Sequence, residues 1–120
     1  MKISVCKIFS FDAAHFLPNY EGKCRRLHGH TWKLEVEVSG PVGEDGLVLD
    51  FAALKRLVEV GILEILDHTL LNDTIENPTC ENLLEWIWSR LRQPWGLSSL
   101  LEVEKLRLWE TPDSYSELKL

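Results

Sequence analysis

The chain has 120 residues, a mass of 13.9 kDa and a hydrophobic content of 45%, figures that suit one domain spanning residues 1–120 with a compact core. A net charge of −6 and a pI near 5.2 argue against nucleic acid as a partner, because phosphate backbones are bound by basic surfaces. No apolar run is long enough to cross a bilayer, Met1-Lys2-Ile3-Ser4-Val5 lacks the pattern of a signal peptide, and Cys6, Cys24 and Cys80 are too few and too scattered for a disulfide framework, so a cytoplasmic protein away from the membrane is expected.

In chain order, Ile3, Val5, Phe9 and Phe11 share one parity with Lys7 interrupting, which predicts a half-buried strand; His15 falls on the same parity if no bulge intervenes. The run from Thr31 to Ser39 alternates strictly, with Trp32, Leu34, Val36 and Val38 on its apolar face, and Ser39-Gly40-Pro41 ends it. After a polar loop, Asp50 stands as an N-cap, and Phe51, Leu54, Leu57, Val58, Ile62 and Ile65 recur at helical spacing to about Leu66, with Gly61 a weak point. Thr79 caps a second helix carrying Leu83, Leu84, Ile87, Trp88 and Leu91 on one stripe, which Gln93-Pro94-Trp95-Gly96 stops. Two more strands are predicted, about 101–109 with a parity slip near Glu104 that signals a bulge, and about 115–120. The order ββααββ describes an α+β domain in which two helices cover one face of a four-stranded antiparallel sheet. Open sheet edges and five tryptophans in so small a chain predict an oligomer.

The chemistry is concentrated early in the chain. His28 and His30 project from one face of an extended strand, within reach of a single ion, and His15 completes the set if the first two strands are antiparallel neighbours. Three imidazoles with no fourth protein ligand is the pattern of a catalytic zinc site, whose open position takes water or substrate. Gly29 between them leaves room for a ligand or another strand. Cys24 lies on a loop with Lys23, Arg25 and Arg26, where a metal and cations favour the thiolate; it is a candidate base or nucleophile, or else a fourth ligand that would make the site structural. Asp67-His68 offers a carboxylate-imidazole pair suited to proton transfer, and Glu110 ends the third predicted strand. Taken singly, each of these residues reads equally as a solvated loop or strand end.

Together they resemble the family of 6-pyruvoyltetrahydropterin and 6-carboxytetrahydropterin synthases. The resemblance rests on Phe11-Asp12-Ala13-Ala14-His15, Cys24-Arg25-Arg26-Leu27-His28-Gly29-His30, Leu66-Asp67-His68-Thr69-Leu70-Leu71-Asn72, Pro78-Thr79-Cys80-Glu81-Asn82-Leu83 and Glu110-Thr111, five blocks in order over nearly the whole length. It implies the tunnelling fold (T-fold), in which three chains close a barrel and two rings stack into a hexamer, and one Zn2+ per subunit on His15, His28 and His30. It further implies Cys24 as the catalytic thiol, Asp67 and His68 as a relay supplied by a neighbouring subunit, and Glu110 with Thr111 at the pterin ring. The implied substrate is 7,8-dihydroneopterin triphosphate, and Lys23, Arg25 and Arg26 are candidates to meet the triphosphate. Three residues between Cys24 and His28 resemble the carboxytetrahydropterin branch, on the route to queuosine and related 7-deazapurines, more than the pyruvoyl branch with its longer gap. A branch without the cysteine, which makes a hydroxymethylpterin, is disfavoured by Cys24, and a non-catalytic pterin- or metal-binding member by the intact Asp67 and His68. Cys80, Trp109 and Pro112 depart from the family pattern.

Overall fold

The computed structural model describes residues 2–119. Two long strands, β1 (Ile3–His15) and β2 (His28–Gly40), pair antiparallel without a slip, from Ile3 opposite Gly40 to His15 opposite His28. The single parity predicted for β1 therefore persists to its last residue. β4 (Glu102–Thr111) pairs with the other edge of β2, and β5 (Ser114–Lys119) with β4. The slip near Glu104 is a bulge, because Val38 faces Val103 while Glu37 faces Lys105. Ser39 Oγ donates to the Glu104 carboxylate there, at 2.8 Å.

The sheet is five-stranded and mixed, in the order β3-β1-β2-β4-β5, and not the four-stranded antiparallel sheet expected. The added strand, β3 (Thr69–Leu70), runs parallel to β1 opposite Ala13 and Ala14. Two residues are too short to leave a periodic signal. What docks them is polar: the Asp67 carboxylate accepts the Asp12 N–H at 2.9 Å, and the His68 N–H donates to the Asp12 carbonyl at 2.6 Å. His68 adopts a φ of 61°, which turns the chain into this register.

Asp50 and Thr79 cap their helices as expected, accepting from the backbone N–H of Ala52 and Asn82 respectively, each at 3.0 Å. The helical run predicted to Leu66 divides into α1 (Phe51–Val58), a π-helical segment (Glu59–Leu63) and a final turn, α2 (Glu64–Leu66). Gly61 lies in the π segment because the Trp95 indole packs against it: a Cβ there would lie 2.2 Å from the ring. With α3 (Cys80–Leu91), these elements bury Leu54, Val58, Ile62, Leu66, Leu83, Ile87 and Leu91 against Phe9, Phe11, Trp32, Leu34, Val36, Leu106 and Leu108 of the sheet. All the helices therefore lie on one face. The other carries Ile8, Lys33, Glu35, Arg107, Trp109 and Tyr115, with no helix over it among the described residues.

The Asp67 anchor sets a pH limit on β3. Its carboxyl is held below the ordinary carboxylate range, first by the Asp12 N–H and then by His68. Because the folded pKa is lowered, the stabilisation is complete above the unfolded value of about 3.9 and is lost as the pH falls through the folded value. Amide exchange at His68 should accelerate on acidification below that range, and in Asp67→Ala it should already be fast at neutral pH. Protection that survives in the variant would show that the backbone pairing holds β3 unaided.

Candidate metal centre and active site

At the end where β1 and β2 stop, the inward parity that buries Phe11 and Trp32 also places His15, His28 and His30 side by side. His15 is fully buried, and the side chain of His30 is 19% exposed. Their ring centroids are 4.6 Å apart for His15 and His28, 4.8 Å for His28 and His30, and 5.2 Å for His15 and His30. The Trp32 indole meets His15 and His30 edge-on from below and donates its N–H to the Ala13 carbonyl at 3.3 Å.

Backbone carbonyls orient two of these rings. His15 Nδ1 donates to the Pro78 carbonyl at 2.8 Å, and His28 Nδ1 donates to the Arg26 carbonyl at 2.7 Å. A carbonyl only accepts, so in each neutral ring Nδ1 carries the hydrogen and Nε2 carries a lone pair. Those two Nε2 atoms face each other at 3.1 Å. Two lone pairs at that distance repel unless a proton or a metal cation lies between them. His30 Nε2 is buried without a hydrogen-bond partner, although Glu110 Oε1 lies 3.2 Å away. Burial is the main influence keeping the His30 imidazole neutral, opposed by Glu110 and reinforced by the other two histidines. Three imidazoles with converging Nε2 atoms, two of them in rings oriented by backbone carbonyls, make a donor set suited to a divalent cation.

Glu110 is the fourth member of this group. Its Oε1 also lies 3.4 Å from His15 Nε2, and the four donor atoms all fall within 4.8 Å of one another. The carboxyl is held below the ordinary range first by its hydrogen bond with His15, against burial, with the charges of His30, His15 and His28 adding to the effect. Expected only at the pterin ring, Glu110 thus stands among the histidines. The signal for this was its shared parity with the buried Leu106 and Leu108.

The other candidate residues lie elsewhere. Cys24 is half-buried on the 3-10 turn Lys23–Arg25 and is not part of the converging donor group; its carbonyl accepts the Leu17 N–H at 2.9 Å, closing the loop. Lys23, Arg25 and Arg26 are exposed and form no ion pair among the described residues. Asp67 and His68 make a second group with Asp12, in which Asp67 Oδ1 lies 3.0 Å from His68 Nδ1 and Thr31 Oγ1 donates to Asp12 at 2.5 Å. The His68 side chain is 77% exposed and lines an open groove of about 560 Å3 together with Ala14, Gly29, His30 and Thr31. A Cβ on Gly29 would meet only the Ala13 carbonyl, at 3.9 Å, so the groove floor is flat there. The Thr111 hydroxyl donates to Asp113 in the β4-β5 turn. Cys80 Sγ donates to the Leu108 carbonyl at 3.3 Å and lies 2.9 Å from Ser116 Oγ, tying α3 to β4 and β5. Trp109 points outward, its indole N–H donating to Glu35 and its ring packed on Tyr115.

Asn72 has a positioning role that its place in a motif did not reveal. Its amide donates to the Phe16 carbonyl at 2.9 Å and accepts the Phe16 N–H at 3.0 Å, clamping the backbone next to His15. Asn72→Ala should lower stability by about 1–3 kcal/mol in urea unfolding and weaken metal binding; a variant as stable as the parent would show that the clamp contributes nothing.

The chain resembles known proteins over almost its full length. The family model described as 6-pyruvoyl tetrahydropterin synthase matches residues 4–119. A 6-carboxy-5,6,7,8-tetrahydropterin synthase of Synechocystis is 39% identical over 123 residues, covering 97% of this chain and 95% of the relative. A dihydroneopterin monophosphate aldolase of Pyrococcus furiosus is 40% identical over 119 residues, covering 99% of each. Among solved structures, a 6-pyruvoyl tetrahydropterin synthase of Caenorhabditis elegans superposes with a TM-score of 0.86 at 26% identity, covering 100% of this chain and 96% of that one.

Proposed function

Since the chain belongs to the 6-pyruvoyl tetrahydropterin synthase family, we propose that it is a zinc-dependent lyase converting 7,8-dihydroneopterin triphosphate to 6-carboxy-5,6,7,8-tetrahydropterin, acetaldehyde and triphosphate, with one water consumed. The observation that carries the reading is the three-histidine cluster, whose Nε2 atoms need a cation, in a chain that also retains Cys24, Asp67 and His68. Relatives named as 6-carboxytetrahydropterin synthases support the choice of branch, as does the spacing of Cys24 to His28. The product places the chain in queuosine and 7-deazapurine biosynthesis, in the cytoplasm.

In this reading His15, His28 and His30 hold the zinc, which when bound supplies Lewis acidity toward the side-chain oxygens of the substrate. Cys24 removes a carbon-bound proton, and His68, oriented by Asp67, returns one as the triphosphate leaves. Glu110, with Thr111 beside it, faces the guanidine-like edge of the pterin as a carboxylate faces an arginine. Lys23, Arg25 and Arg26 meet the triphosphate. As the family resemblance implies, the relay comes from a second copy, and the working unit is a hexamer of two stacked trimers, each chain contributing one domain over residues 1–120. The bare outward face of the sheet would line the barrel.

A second reading draws on the end-to-end match to the Pyrococcus furiosus aldolase: cleavage of dihydroneopterin monophosphate to a hydroxymethylpterin. Retention of Cys24 favours the first.

Mass-spectrometric product analysis of zinc-loaded protein given each phosphate ester separately decides between them. The triphosphate should yield acetaldehyde and carboxytetrahydropterin; a pyruvoyl product without acetaldehyde, or turnover of the monophosphate alone, would overturn the assignment. Cys24→Ala should keep the metal and lose at least about 100-fold in turnover, whereas His28→Ala should lose the metal. Metal loss in Cys24→Ala would point to a structural site.

A further inference from the structure

The helical side of the molecule carries a concave feature that shares no residue with the histidine cluster. A cavity of about 540 Å3 lies between α1, the π-helical segment and the turn after α3, walled by Leu57, Val60 and Trp95 and edged by Arg56 and Arg90. That volume falls within the range of small-molecule pockets, about 300–1,000 Å3. Val60 is 52% exposed and Trp95 45%, so the walls present apolar surface that the fold leaves uncovered.

The walls are fixed before any ligand arrives. Trp95 sits in a tight turn, closed by the Gly96 N–H donating to the Gln93 carbonyl at 2.8 Å and the Leu97 N–H donating to the Leu91 carbonyl at 3.2 Å. Arg90 Nε donates to the Gly61 carbonyl of the π-helical segment at 3.0 Å. Its guanidinium lies over the rings of Trp95 and Trp86, 4.8 and 5.6 Å from their centroids. Single π-helical turns recur at functional sites.

The charge at the rim is of one sign. Arg56 and Arg90 form no ion pair among the described residues, and no carboxylate lines the cavity, in a chain whose net charge is −6. Glu59, in the adjoining turn, is paired with Lys55 at 3.8 Å. An apolar cavity with guanidinium groups and no anion beside them is complementary to a ligand with a flat apolar body and a carboxylate, which guanidinium groups bind through parallel N–H···O bonds. We propose that this cavity is a binding site for a small aromatic carboxylate. Its ring packs on Trp95, Val60 and Leu57, and its carboxylate meets Arg56 and Arg90.

Calorimetric titration of the full-length, zinc-loaded protein with 2-naphthoate tests the proposal, with 2-naphthylmethanol as the neutral counterpart. Naphthoate should bind at one site per chain, and the alcohol at least about 10-fold more weakly, because it lacks the charge-assisted hydrogen bonds. Arg56→Gln should weaken naphthoate to a similar extent. Arg56 is exposed and in no ion pair, so this variant should keep the parental urea midpoint and zinc content. In crystals soaked with 6-bromo-2-naphthoate, the bromine anomalous peak should lie beside Trp95. No saturable binding, equal affinity for the alcohol, unchanged affinity in Arg56→Gln, or a bromine peak at the histidine cluster alone would each overturn the proposal.

Discussion

The continuous antiparallel register of β1 on β2 is the constraint on which the site depends. It brings His15 opposite His28 and Ala13 opposite His30, and since side chains alternate along a strand, a slip of one residue would turn the histidines to the other face. The register is strongly specified because the same parity buries Phe9, Phe11, Trp32, Leu34, Val36 and Val38. Packing energy spent on the core thus also positions the three histidines, which need no loop of their own.

That economy has an electrostatic consequence. The Pro78 and Arg26 carbonyls present the lone pairs of two imidazoles to each other over an indole floor. Such an arrangement is unfavourable by itself and becomes favourable around a proton or a metal cation. Pro78 stands just before the capping Thr79 of α3, and Asn72 clamps Phe16 directly after His15. The segment joining β3 to α3 therefore supports the site from behind.

Much of this was legible in the residues. Strict alternation announced β2, both helix caps followed from Asp50 and Thr79, and the parity slip at Glu104 marked a true bulge. The histidine cluster followed from strand geometry once β1 and β2 were taken as neighbours. What escaped was held by contacts between distant residues: β3 depends on Asp67 reaching the Asp12 backbone, and the π-helical segment accompanies the packing of Trp95 on Gly61. Glu110 was legible by parity yet read as a strand-end anchor, because its distance to the histidines depends on how β4 lies against β2 near Trp109. Glu110 itself lies in the register slip between Trp109 and Thr111 of the β4-β5 ladder.

The central claim is that the three imidazoles hold one metal ion. Anomalous diffraction above and below the zinc edge, from crystals of the protein purified without added metal, tests it most directly. The account predicts one strong zinc peak per chain within bonding distance of Nε2 of His15, His28 and His30. A peak elsewhere, or no peak at the histidines after zinc is supplied, would contradict it.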